Sequence, residues 1–216
     1  MKQIFVFIGV ISTMLSFIGC SGQSKKKNEG ELSKELQEQI AKSVESFNNR
    51  PIYKELTVEN IDTISDENLL QAVFDNLSEK LPQDYDKEYE TVMSWNESRK
   101  AIYVIWALEA EVNNGGFNQF YFNSSGQFYK ELPKALRLVG ANGFAYLTLR
   151  ANNLYEKENE KITKNQDGTL EGFSKSYEDN PLNKLDSEFY ELYKTEKLMQ
   201  IQVDYIRKYK SDFVDK

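Results

Sequence analysis

Residues 101–108 read Ala101-Ile102-Tyr103-Val104-Ile105-Trp106-Ala107-Leu108, eight positions without a charge. A segment that is apolar all round has no face for water, so it belongs inside a fold. A buried strand is the rival reading, but the length and the Ala and Glu content favour helix. Asn96, just upstream, is a preferred N-cap residue type. Gly115-Gly116, just downstream, has the backbone freedom that ends a helix as a C-cap pair. The pattern predicts one buried helix over about 97–113, the hub of a bundle.

Working outward, apolar residues recur at helical spacing on both sides of that hub. Leu32, Leu36, Ile40, Val44 and Phe47 form a stripe over residues 31–49. Leu69, Leu70, Val73, Phe74, Leu77 and Leu81 form another, with Ser65 or Asp66 as its cap and Pro82 as its stop. Residues 84–95 read as a third, more acidic helix. Downstream, a piece starts at Phe117, another covers about 125–140 with a restart at Pro133, and a further one covers 144–155. Residues 162–184 are polar and contain Pro181, which predicts a long loop with at most a short turn. Residues 185–213 read as one last helix carrying Phe189, Leu192, Tyr193, Met199, Val203 and Ile206. No segment alternates as a strand does. The expected class is all-α: a single-domain multi-helix bundle over 66–213, preceded by a separate helix over 31–50. Trp95 and Trp106 are expected in its core.

The start of the chain is of another kind. Lys2, an apolar run from Ile4 to Leu15, and then Phe17-Ile18-Gly19-Cys20 have the order of a charged region, an apolar region and a small residue before a cut. Cys20 is the only cysteine in the 216 residues. The run resembles a lipobox, which implies a signal peptide over 1–19 and a lipid on Cys20. Residues 21–30 have no apolar side chain and read as a flexible, solvated tether, with contact of Lys25, Lys26 and Lys27 to anionic headgroups as the alternative. The implied location is the bacterial envelope, membrane-anchored by lipid and facing the periplasm or the surface.

Composition excludes much chemistry. There is no His, so Ser-His-Asp and Cys-His catalysis are excluded, as are Cys/His zinc sites. No cofactor or metal is expected. The net charge is −7, and residues 51–100 alone carry 12 acidic and 5 basic side chains, a net −7. Such a surface repels nucleic acid and suits either a basic protein partner or plain solubility as a solvated acidic face. Asp84, Asp86, Glu88 and Glu90 are its densest stretch. If they were helical, Asp84/Glu88 and Asp86/Glu90 would be i,i+4 pairs of like charge. Glu109 and Glu111, being i,i+2, face different sides of one helix and make no acid–base pair. The segment Asp167–Gly172 lacks the spaced carboxylates of a calcium loop.

One stretch departs from plain amphipathic patterning: Glu111, Val112, Asn113, Asn114, Gly115, Gly116, Phe117, Asn118, Gln119, Phe120, Tyr121, Phe122, Asn123. Its glycines suit a turn, its aromatics suit packing, and its amides suit bonding to exposed backbone, with Glu111 placed to accept from one of them. The alternative is a polar ligand cradle built from Glu111, Asn113, Asn114, Gln119 and Asn123. Together with Ala135-Leu136-Arg137-Leu138-Val139-Gly140-Ala141 and Leu185-Asp186, this stretch resembles the signature of the DNA-mimic-protein C-terminal domain family, over about 66–210. The resemblance implies an all-helical single domain. In the best-known member it implies an acidic surface that imitates duplex phosphates against a repressor's basic face. The expected function is a non-enzymatic, acidic, protein-binding domain on an envelope lipoprotein, with inhibition of a basic toxin or hydrolase as one version. The alternative is a carboxylate-dependent glycan-acting enzyme or a glycan-binding domain, which needs two facing carboxylates across a pocket.

Overall fold

A computed structural model describes residues 34–165, 167 and 169–215. The signal peptide over 1–19, Cys20 and the tether lie outside the described residues. The chain divides at Ile52 into two compact units. Of the first, the described part is a single helix, α1 (Lys34–Asn48), which buries no residue fully. Among the described residues there is no strand, and no helix is long and apolar enough to cross a membrane.

The second unit, Tyr53–Lys216, holds α2 (Val58–Thr63), α3 (Asp66–Glu79), α4 (Glu88–Ser94), α5 (Glu97–Phe122), α6 (Leu132–Val139), α7 (Asn142–Lys157), α8 (Asn159–Thr163), α9 (Leu170–Lys175), α10 (Asn183–Leu192) and α11 (Leu198–Lys208). This is the all-α multi-helix bundle that the periodicities predict. α5 is its centre: Ala101 to Ile105 and Leu108 are buried, and α3, α4, α6 and α10 pack around the helix. Asn96 caps it, accepting the Arg99 N–H at 2.8 Å. α6 opens with Pro133 in its first turn and closes on Gly140 at φ 100°, where no side chain is in the way. α7 then folds back on α6 and packs against α10, while α11 lies on α2 and α3.

Several expected boundaries move. Residues 84–95 are not one helix: a 3₁₀ turn at Tyr85–Lys87 precedes α4, and Asp84 is its cap, accepting the Asp86 N–H. A side chain that caps cannot also sit mid-helix, so the Asp84/Glu88 pairing along one helical face does not form. The 162–184 loop contains α9, started by Thr169, which accepts the Gly172 N–H at 2.9 Å. The expected last helix is two, α10 and α11, because Glu196 turns out of the helical path to meet the start of α7. Trp95 and Trp106 are only half-buried at the core's margin, Trp106 stacking on Phe74.

Candidate functional site

The signature stretch occupies the second half of α5, and its glycines bend the helix rather than end it. Gly116 has φ 71° and ψ −176°, a region open in practice to glycine alone, and the helix resumes at Phe117. A chain that resumes a helix exposes new backbone N–H groups. Asp186 of α10 meets one of them, its Oδ1 accepting the Phe117 N–H at 2.8 Å. A Cβ on Gly116 would run into that same carboxylate. The two features therefore require each other: the absent side chain leaves room for the cap. Burial raises the Asp186 carboxyl above its ordinary range, only partly offset by the Phe117 N–H.

The carbonyls at the bend are met in the same way. Tyr177 OH donates to Gly115 O at 2.9 Å and Tyr190 OH to Val112 O at 3.0 Å. On the inner side Asn118, fully buried, donates to Ser176 Oγ at 2.7 Å and accepts from the Asn180 amide at 2.7 Å. Phe117 and Phe120 are core residues, Phe117 meeting the edge of Phe189.

The remaining polar residues bond mainly to one another. Glu111 Oε2 accepts from Gln119 Nε2 at 2.7 Å and from Asn123 Nδ2 at 2.8 Å, and its Oε1 accepts from Ser125 Oγ at 3.0 Å. Asn113 hydrogen-bonds the Tyr193 hydroxyl, and Tyr193 in turn donates to Glu109 Oε1 at 2.7 Å. Asn114 is exposed. The structure thus brings Glu111, Gln119 and Asn123 together, sets Asn113 in a second network, and leaves Asn114 outside both. Glu109 and Glu111 face different partners. Asp186, Tyr177, Tyr190 and Tyr193 belong to this assembly and were not singled out as its members from sequence; Leu185-Asp186 entered only as a supporting motif.

The acidic candidates separate too. Asp84 is occupied by the Asp86 N–H and lies 3.5 Å from Lys87 Nζ. Glu88 is half-buried and accepts the Tyr103 hydroxyl at 2.6 Å. Asp86 and Glu90 are exposed. Elsewhere in residues 51–100, Asp62 pairs with Lys210, Asp66 with Arg207, and Glu97 with Lys100 and Lys134. Glu55, Glu59, Glu67, Glu79, Asp86 and Glu90 stay exposed with no Lys or Arg nitrogen within 4.0 Å among the described residues.

No curated protein and no solved structure matches the chain at a significant level. A family profile does, over residues 93–209, just over half the chain. The matched part begins before α5 and ends after α11. It contains the bend, the trans cap from Asp186 and the Gly140 helix end, and it leaves out the acidic stretch that precedes Met93. On that match the chain belongs to the family of DMP19-like proteins.

Proposed function

We propose that the protein is an envelope lipoprotein whose DMP19-like domain binds a basic protein surface and catalyses no reaction. The observation that carries this reading is the set of six exposed carboxylates, Glu55, Glu59, Glu67, Glu79, Asp86 and Glu90, that have no ion pair among the described residues, in a segment of net charge −7. Carboxylates held in water without a local cation attract a partner's Lys and Arg, as phosphates do. Most polar groups of the signature are bonded to one another or to the backbone of the bend, which favours this reading over a ligand cradle, and Asn114 is the exposed exception. A lipid on Cys20 would place this surface at the envelope.

The test is to capture partners from envelope and cytosolic extracts with the domain lacking residues 1–20, and then to measure association across salt. A partner with a basic face, whose on-rate falls steeply as salt rises, supports the reading. Binding that is indifferent to salt refutes it. The anchor is tested separately: Cys20→Ala should leave an unprocessed precursor without fatty-acid label, and persistent labelling would refute lipidation there.

A further inference from the structure

Glu109 sits nearly two turns before the bend at Gly115 and Gly116, and its carboxyl has only neutral partners. Tyr193 OH donates to Oε1 at 2.7 Å and Gln202 Nε2 donates to Oε2 at 2.7 Å. Among the described residues no Lys or Arg nitrogen lies within 4.0 Å of it. The titratable groups that hydrogen-bond at the bend and at Glu109 are acidic or phenolic: Glu111 on α5, Tyr177 after α9, Asp186 and Tyr190 on α10, and Tyr193 at its end. Of the basic groups on α10 and α11, Arg207 is paired with Asp66, and none of Arg207, Lys184 and Lys208 comes within 4.0 Å of Glu109. α11 contributes the neutral Gln202. An anion among such neighbours has no countercharge to offset its desolvation.

Gln202 supplies the second observation. It is fully buried, and its Oε1 has no donor. A buried acceptor left unmet destabilises the fold that holds it. The amide that carries this orphan is already bonded to Glu109 through its Nε2. A proton on the carboxyl would supply the missing donor: the acid O–H would give to the amide oxygen while the amide N–H gives to the other carboxyl oxygen.

We infer that Glu109 is an acid-responsive lock: on mild acidification the folded protein takes up a proton there, and the neutral acid donates to Gln202 and tightens the contact between α5 and α11. Burial acts in the same direction, holding the Glu109 carboxyl above its ordinary range against the Tyr193 and Gln202 hydrogen bonds. A group raised in the folded state stabilises the fold at low pH, and that contribution is lost as pH rises through the folded value. The chain has no His, so from about pH 5 to about pH 8 no side chain of ordinary pKa changes charge. A stability change in that window belongs to the raised carboxyls, Glu109 and Asp186.

The experiment is denaturant unfolding of the domain lacking residues 1–20, from about pH 5 to about pH 8, for wild type, E109Q and D186N. The unfolding constant of wild type should rise with pH, by at most about tenfold per unit for each proton. D186N should keep part of that rise. E109Q, whose amide can pair with Gln202 at any pH, should lose the Glu109 part and be no less stable than wild type at the alkaline end. A flat wild-type profile, or an E109Q profile as steep as wild type, overturns the inference. If E109Q does not fold, the infrared stretch of a protonated carboxyl in D186N, where the other raised carboxyl is gone, decides: its presence at about pH 6 supports the lock and its absence overturns it.

Discussion

Asp186 accepts the Phe117 N–H across 69 positions of sequence, at the point where Gly116 lets α5 turn. A carboxylate at a resumed helix N-terminus satisfies an orphan donor and also meets the positive end of the helix dipole. The same device recurs at α7, where Glu196 accepts the Gly143 N–H at 2.7 Å and the Phe144 N–H at 3.3 Å. Two helix starts are thus capped by carboxylates from α10 and from the turn after it, which ties α10 to the hub and the turn after it to α7.

The first consequence concerns the glycines. Gly116→Ala should lower stability by at least about 2 kcal/mol, because it combines an unfavourable backbone conformation with a collision against Asp186. Gly140 also has a positive φ, but nothing lies within 4 Å of where its Cβ would be. Gly140→Ala should therefore cost only the backbone part, about 1 kcal/mol. Melting temperatures of the two variants, measured side by side, check the order. Equal losses would mean that Asp186 moves aside freely.

A second comparison separates scaffold from cradle within the signature. Asn118→Ala leaves Ser176 and Asn180 without their buried partner and should cost about 1–3 kcal/mol. Asn114→Ala alters an exposed side chain and should stay within about 0.5 kcal/mol. If Asn114→Ala abolished partner capture while leaving the melting curve unchanged, the cradle reading would replace the scaffold one.

How far these features could be read beforehand differs by kind. The hub was legible because Ala101–Leu108 is apolar all round, and Asn96 marked its start through a local bond to Arg99. The Gly pair announced a break in the helix, but whether a helix stops or resumes depends on Asp186, 69 positions away. The split between α10 and α11 was hidden for the same reason. Leu192, Tyr193 and Met199 keep helical spacing across it, and only the pull of Glu196 toward Gly143 reveals the turn. Among the candidate acids, charge density was visible and occupancy was not: Asp84 and Glu88 look like Asp86 and Glu90 until Tyr103 and the 3₁₀ turn claim them.

The chain's last residues carry a pH-dependent prediction of opposite sign to that of Glu109. Asp215 accepts the Leu56 N–H, the Asn76 amide and Lys80 through Oδ2, and Arg99 through Oδ1. Burial alone would raise its carboxyl, but the Leu56, Asn76 and Lys80 hydrogen bonds outweigh that and hold it down at about 2. A group lowered in the folded state contributes stability above its unfolded value, lost as pH falls through the folded one. Asp215→Asn should therefore cost about 1–2 kcal/mol near neutral pH. The gap from wild type should narrow as pH falls from about 4 toward about 2. Denaturation midpoints across that range check it, and a gap constant with pH would show that shape rather than charge matters at this position.

The last prediction concerns where the negative surface works. Asp86 and Glu90 are exposed, whereas Asp84 and Glu88 are committed to the local fold. Reversing the exposed pair with D86K and E90K should leave stability within about 0.5 kcal/mol for each change. Reversing the committed pair with D84K and E88K removes a cap and the partner of the buried Tyr103 hydroxyl, and should cost about 1–3 kcal/mol in total. Binding should order the two differently. For a partner that docks by charge, long-range attraction sets the on-rate and is screened over about 10 Å at 0.1 M salt. The D86K/E90K variant should then associate more slowly than wild type at low salt and converge with it at high salt, with little change in dissociation. Because its fold is untouched, a slowed on-rate in this variant reports the surface alone. If it associates as fast as wild type at every salt concentration while D84K/E88K fails only in proportion to its lost stability, the acidic segment is a solvated face, and the binding surface has to be sought elsewhere on the domain.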